Sequence, residues 1–218
     1  MEGTNGGSAY LNAMMVFGYI GYLDGSTTTL NGAPVVGYIA DGTYPGTADT
    51  RSLATVIGGG STVNVNNANG IYFNSTLIMT NGGGAVNVGT NFQAYALAGA
   101  GNLALGGTNK LSLNRAGTYS GTLSLNGAGL VLGAASALGT GNLALNGGSI
   151  DVENDSALGT GTISVNSNTT TINNTGVLSN LTGNNAFNLN GGWATLQVNG
   201  YGKTLNFGTG NVTVTGIS

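Results

Sequence analysis

The chain has 218 residues, 42 of them glycine, with 40% hydrophobic residues, two prolines and no cysteine. Glycine at this level without a strict Gly-X-Y period excludes collagen, and the hydrophobic share is too high for a disordered linker, so the chain folds. Four Lys and Arg against seven Asp and Glu, with no His and a net charge of −3, exclude a basic surface for nucleic acid or anionic membrane; no apolar run of about 20 residues is present to span a bilayer.

Residues 1–58 stand apart. Both prolines, Pro34 and Pro45, and the longest apolar stretch, "AYLNAMMVFGYIGYL" from Ala9 to Leu23, fall here. The opening "MEGTNGG" carries Glu2 and no Lys or Arg ahead of that stretch, so the positive n-region of a signal peptide is missing. If the protein is exported, we expect this chain to be a mature form or an excised fragment. Tyr10, Met14, Met15, Phe17, Tyr19, Ile20 and Tyr22 are too large and too many to leave in water. The segment can fold back over the chain's own first coil, or lie along the open edge of a neighbouring subunit by strand addition. We expect the second, and read 1–58 as a cap or assembly segment.

From residue 59 to 218 the pattern is that of strands. Val63, Val65, Ile71, Phe73, Leu77, Met79, Val86 and Val88 alternate with polar residues. A repeat then sets in. Leu103, Leu123, Leu143 and Ile163 recur at intervals of 20, and Leu105, Leu125, Leu145 and Val165 follow two residues behind. An i, i+2 pair faces one side of a strand, so each repeat contributes one apolar tooth. A second tooth comes from Leu111 with Leu113, Leu130 with Leu132, Ile150 with Val152, and Ile172. Between the teeth, "GGTN", "NGAG" and "NGG" supply residues that tolerate left-handed backbone and so turn corners. Phe187, Leu189, Leu196, Val198, Leu205, Phe207, Val212 and Val214 continue the alternation towards the C-terminus.

Short strands and corners at this interval predict an all-β fold, a parallel β-solenoid over 59–218, with coils about 4.8 Å apart. A β-sandwich with Gly-rich turns would also space strands regularly, but exact register over four copies favours the solenoid. Leu103, Leu123, Leu143 and Ile163 are then one buried ladder.

The stretch "GTYSGTLSLNGAGLVLGAASALGTGNLALNGGSI", Gly117 to Ile150, carries Thr118-Tyr119, Gly121-Thr122, "LVLG" at Leu130 to Gly133, "ALGTG" at Ala137 to Gly141 and "LNGG" at Leu145 to Gly148. It resembles the autotransporter-associated β-strand repeat, or passenger-associated transport repeat. A partial copy follows at Ala157 to Val165, with an echo, "GTYPGT", at Gly42 to Thr47. The resemblance implies a right-handed β-helix on the outside of a bacterial cell, with no catalytic residues. The first hundred residues match the repeat poorly, and "NVTVTGIS" does not look like the membrane strands of a translocator barrel.

Little in the chain carries catalytic chemistry. Without His or Cys the usual nucleophile–base pairs cannot form. The one acidic run, Asp151, Glu153 and Asp155, would project outward because Ile150 and Val152 point in. It could hold Ca²⁺ weakly, but a solvated face is the plainer reading. Lys110, Arg115 and Lys203 are distant from it in sequence, and Arg115 falls about two coils, roughly 10 Å, away. No phosphate-binding glycine motif is present. Threonine runs at 27–29, 169–171 and 213–215 lack the coil-to-coil register of an ice-binding face.

We therefore expect a non-enzymatic structural protein with no metal and no cofactor, located outside the cell or on a bacterial cell surface. It would associate with itself into a filament, without nucleic acid and without inserting into a membrane. The alternative is an adhesin-like passenger fragment that binds glycan or a host surface, for which Trp193 and Tyr201 are the stacking candidates.

Overall fold

The structure, a computed structural model, describes residues 53–65, 71–72, 75–166, 169–174, 180–182, 185–190, 194–199, 204–206 and 210–215, with strand segments at 3–4, 8–11, 23–24 and 27–30. Side chains are described over 57–60, 62–65, 76–166, 169–174, 185–190, 194–199 and 210–215.

The chain winds as a β-solenoid, and every pair of strands among the described residues is parallel. Among the described residues three long sheets make its sides, with ten, seven and six strands, and a fourth sheet has two. Because side chains alternate along each strand, one set of positions enters the interior on every coil and the other faces out. Leu103, Leu123, Leu143 and Ile163 pair in one register across the ten-stranded sheet, and all four are buried. Leu105, Leu125, Leu145 and Val165 stack beside them. Across the seven-stranded sheet, Leu111, Leu130, Ile150 and Ile172 form the facing column, each at 0% exposure. The core is the space between these columns.

The step between paired residues is not constant. It is 20 from Leu143 to Ile163, then 24 from Ile163 to Phe187 and 25 from Phe187 to Val212. Longer corners absorb the difference while the strands keep register. Towards the N-terminus, strands Ser8–Leu11 and Thr27–Leu30 pair into the ten-stranded sheet, and Gly3–Thr4 and Leu23–Asp24 into the six-stranded one. The division expected at residue 58 falls between strands Leu53–Gly58 and Ser61–Val65, whose sheets both continue to either side of it.

Glycine is placed by stacking as much as by backbone freedom. Gly101, Gly121, Gly141 and Gly161 form a column at the corner leading into the ten-stranded sheet. A Cβ on Gly121, Gly141 or Gly161 would collide with a residue of the coil before it, the carbonyl oxygen of Gly101 for Gly121 and that of Gly141 for Gly161. Positive φ is needed elsewhere, as at Gly139 (58°) and Gly159 (67°). These two glycines belong to the segments "SALGTG", where the six-stranded sheet gives way. Its last strand is Thr118–Tyr119, and turns at Ser136–Thr140 and Ser156–Thr160 take over that side of the coil. Ser136 and Ser156 adopt positive φ to start them, and backbone bonds from Gly117 to Ser136 and from Ser136 to Ser156 keep the coils joined. Ala137, Leu138, Ala157 and Leu158 still fill the interior.

Tyr119 is the largest fully buried side chain among the described residues. Its ring lies where a Cβ on Gly141 would sit, and its hydroxyl is 2.8 Å from the Cβ position of Gly121. The Thr-Tyr-Ser-Gly spacing of the repeat is thus a packing rule: tyrosine occupies room that two glycines vacate. Burial pushes the phenol well above the usual tyrosine range, the Leu103 backbone acting in the opposite sense. Its hydroxyl lies near the Leu103 backbone but makes no well-formed hydrogen bond with any described residue.

Two outcomes follow from this packing. Gly161→Ala should lower stability by more than ~2 kcal/mol in denaturant titration, because the clash is with backbone that cannot swing away. For Tyr119, the folded state holds the phenolic proton above pH 10.0, the value at which an unperturbed tyrosine releases it. Its contribution is therefore constant below that pH and declines as the pH rises above it. Tyr119→Phe should flatten this alkaline limb in a melting-temperature series while leaving neutral stability within about 1 kcal/mol; an unchanged limb would show that other groups produce it.

Candidate functional site

The described polar side chains do not gather around a cleft. They form ladders along the stack. At the end of each strand of the ten-stranded sheet, one outward position recurs on successive coils. Asn146 Nδ2 donates to Asn126 Oδ1 at 2.8 Å, Asn166 to Asn146 at 2.9 Å, and Asn190 to Asn166 at 3.0 Å. Thr215 Oγ1 closes the run by donating to Asn190 Oδ1 at 3.0 Å. Towards the N-terminus the same row continues through Gly106 to Asn87, whose amide donates to Asn64 at 2.8 Å. Gly106 interrupts it, and a Cβ there would lie 2.8 Å from Asn87 Oδ1. The sequence carries this signal as asparagines 126, 146 and 166 at intervals of 20, a spacing that a reading of "NGAG" and "NGG" as corners does not use.

A second ladder runs over the seven-stranded sheet and contains the one ion pair among the described residues. Lys110 Nζ donates to Asp151 Oδ2 at 2.5 Å. Asn173 Nδ2 donates to Asp151 Oδ1 at 2.7 Å, and Asn199 Nδ2 to Asn173 Oδ1 at 2.9 Å. Lys110 and Asp151 are two strands apart, with Gly129 on the strand between. A Cβ on Gly129 would collide with Lys110 Cγ, so this glycine is the gap through which the lysine stem passes.

This arrangement corrects the reading of the acidic run as a solvated face. Asp151 does project from the outer side of its strand, but it is only 7% exposed because Lys110 and Asn173 cover it. Glu153 and Asp155 are exposed. No group of three acidic residues that could hold a metal ion exists among the described residues. The partner of Asp151 was missed because distance was counted along the chain from Arg115. Lys110 stands two strands away in the row of Gly129 and Ser149, one outward position before the Asp151 row, and its stem reaches across diagonally. The Arg115 guanidinium instead lies over the Tyr95 ring, 5.2 Å from its centroid.

The other residues singled out in sequence are placed as follows. Tyr10 lies in strand Ser8–Leu11, paired with Thr29. Met14, Met15, Phe17, Tyr19, Ile20 and Tyr22 lie outside the described residues, as do Trp193, Tyr201 and Lys203. Thr170, in the middle of a threonine run, points inward at 0% exposure; Thr169 is exposed.

Asp151→Ala should cost about 1–3 kcal/mol, since it strips an exposed lysine and a partly buried ladder amide of their shared acceptor. In a double-mutant cycle with Lys110→Ala, the coupling should be about 1 kcal/mol and shrink as salt is added. Zero coupling at low salt would mean that the pair is only a contact of convenience.

No protein-family model, curated protein or solved structure matches the chain, so the reading of its function rests on the coil stack itself.

Proposed function

We propose that the chain is a non-enzymatic structural protein of the bacterial cell exterior, a β-solenoid rod that associates with copies of itself into a filament. The observation that supports this reading most is the direction of its polar side chains. The amides of Asn64, Asn87, Asn126, Asn146, Asn166 and Asn190, and the Lys110–Asp151–Asn173–Asn199 series, bind coil to coil. Catalysis needs acid and base groups brought to one substrate position. Here the most covered carboxylate is engaged by a lysine and an asparagine, and Glu153 and Asp155 stand in solvent.

The outside of a bacterial cell is proposed on the resemblance of Gly117 to Ile150 to an exported repeat. A chain without cysteine suits passage through an oxidising space. The adhesin reading rests on Trp193 and Tyr201, which lie outside the described residues.

Electron microscopy of the purified protein tests the proposal directly. Rods that lengthen with concentration are expected, and a uniform monomer at high concentration would refute it. Deleting Met1 to Leu23 should leave a folded, soluble protein that no longer forms fibres. If the truncated protein unfolds instead, that segment is a cap and not an assembly element.

A further inference from the structure

Three Asn-Gly pairs lie wholly within the residues whose side chains are described: Asn81–Gly82, Asn126–Gly127 and Asn146–Gly147. This dipeptide carries a reactivity of its own. The glycine nitrogen, with no Cβ to shield it, can attack Cγ of the preceding asparagine. The new N–Cγ bond closes a succinimide ring, the Cγ–Nδ2 bond breaks, and ammonia leaves carrying the proton of the glycine amide. Water then opens the ring at one carbonyl to give aspartate, or at the other to give isoaspartate. Water is the only co-reactant.

The fold treats the three pairs differently. Asn81 and Gly82 stand exposed at the tip of the turn 80–83. Gly83 N closes this turn by donating to Thr80 O at 3.0 Å, and Gly59 N donates to Asn81 O at 3.1 Å. Those bonds leave the Asn81 carboxamide and the Gly82 N–H without a partner among the described residues. The coils on both sides are described, with Gly59 and Gly60 on one and Asn102, which accepts from Gly84 N, on the other. Asn126 and Gly127 are exposed too, but partly held. Asn126 Oδ1 accepts from Asn146 Nδ2 at 2.8 Å, and Gly127 N donates to Gly147 O at 3.3 Å. Asn146 is held from both sides, since it also accepts from Asn166 at 2.9 Å, and Gly147 is buried. Attack requires the carboxamide to swing towards the next nitrogen, and that nitrogen to give up its proton to solvent. Ladder bonds oppose the swing, and burial opposes the deprotonation.

We propose that Asn81–Gly82 is a site of spontaneous deamidation, and that the amide ladder of the ten-stranded sheet shields its own Asn-Gly pairs from the same reaction. Neither half depends on the chain associating with itself. The placement matters because isoaspartate lengthens the main chain by one carbon. Residues 80–83 link strands Ser75–Met79 and Gly84–Val88, and this exposed link has room for the extra atom. Only residues 146 and 147 link strands Asn142–Leu145 and Gly148–Val152, so there the extra atom would push Leu145 or Ile150 out of its column. Aspartate at 146 would also lose the Nδ2 that donates to Asn126.

Incubating the folded, full-length protein at mildly alkaline pH and digesting samples at intervals tests it. Mass spectrometry reads deamidation at each site, and chromatography separates aspartyl from isoaspartyl peptides. Each rate is divided by that of a synthetic peptide of the same local sequence, which removes the effect of neighbouring residues. On this scale Asn81 should react fastest, Asn126 more slowly and Asn146 slowest. Asn126→Ala removes the acceptor of Asn146 Nδ2 and should raise the Asn146 rate about fivefold, the factor for one hydrogen bond of ~1 kcal/mol. Asn126→Asp keeps an acceptor there and should leave the Asn146 rate low. If Asn81 reacts no faster than Asn146 on the peptide scale, the site is wrongly assigned. If Asn126→Ala keeps the parental circular dichroism and the Asn146 rate does not move, the ladder is no shield. Should that variant lose its fold, the parental order of the three rates decides by itself.

Discussion

Everything in this rod depends on backbone hydrogen bonding between coils stacked about one strand spacing apart. At that distance each side chain lies directly on its counterpart in the next coil, and its volume has to suit two neighbours on its own column. The apolar columns show the favourable case. Leucine on leucine, or leucine on isoleucine, repeats one contact through Leu111, Leu130, Ile150 and Ile172 without a gap. The Gly101, Gly121, Gly141, Gly161 column shows the severe case, where a carbonyl of the neighbouring coil occupies the place of the next Cβ. Tyr119 links the two, since its ring is admitted only because glycines stand above it.

The same constraint decided how much was legible beforehand. Periodicity of 20 and the alternation around it revealed the coil, the inward columns and the strand pairs that join them, because those are repeated sequence and repeated structure at once. What escaped was relational. Lys110 and Asp151 are 41 residues apart and belong to no motif, yet a glycine in the row of Lys110 lets its stem cross the intervening strand and reach Asp151 in the next outward row. The glycines looked like turn residues on composition, whereas several are there because of a neighbour that no local window contains. "SALGTG" was recognised as a repeat element, but its role, a turn replacing a strand on one side of the coil, depends on positive φ at Ser136 and Ser156, which serine rarely adopts.

Polarity inside the rod changes along its length. Up to Val152 the inward positions of the seven-stranded sheet are apolar or glycine. On the next strand Thr170 follows Gly148 and Asn174 follows Val152 in their columns, both buried. The Thr170 hydroxyl and both polar atoms of Asn174 have no hydrogen-bond partner among the described residues. Asn185 replaces a glycine in the corner column; its amide donates to Gly161 O at 2.7 Å, while its own oxygen has no partner among the described residues. Buried polar atoms of this kind cost about 1–3 kcal/mol each. The longer steps of 24 and 25 residues occur in the same region.

A stack of this type has nearly nearest-neighbour energetics, each coil held by the one on either side. The strongest coils then lie where the repeat is most regular, between about Leu103 and Val165, and the weaker ones flank them. A coil whose interior holds unsatisfied polar atoms, as around Thr170 and Asn174, gives its neighbours less than a fully apolar one. Amide ladders add direction, because Asn146 donating to Asn126, and Asn166 to Asn146, align every coil in one sense along the axis. A coil laid down in the reversed sense would meet neither the ladder nor the apolar columns, so the repeat fixes the direction of winding together with its register.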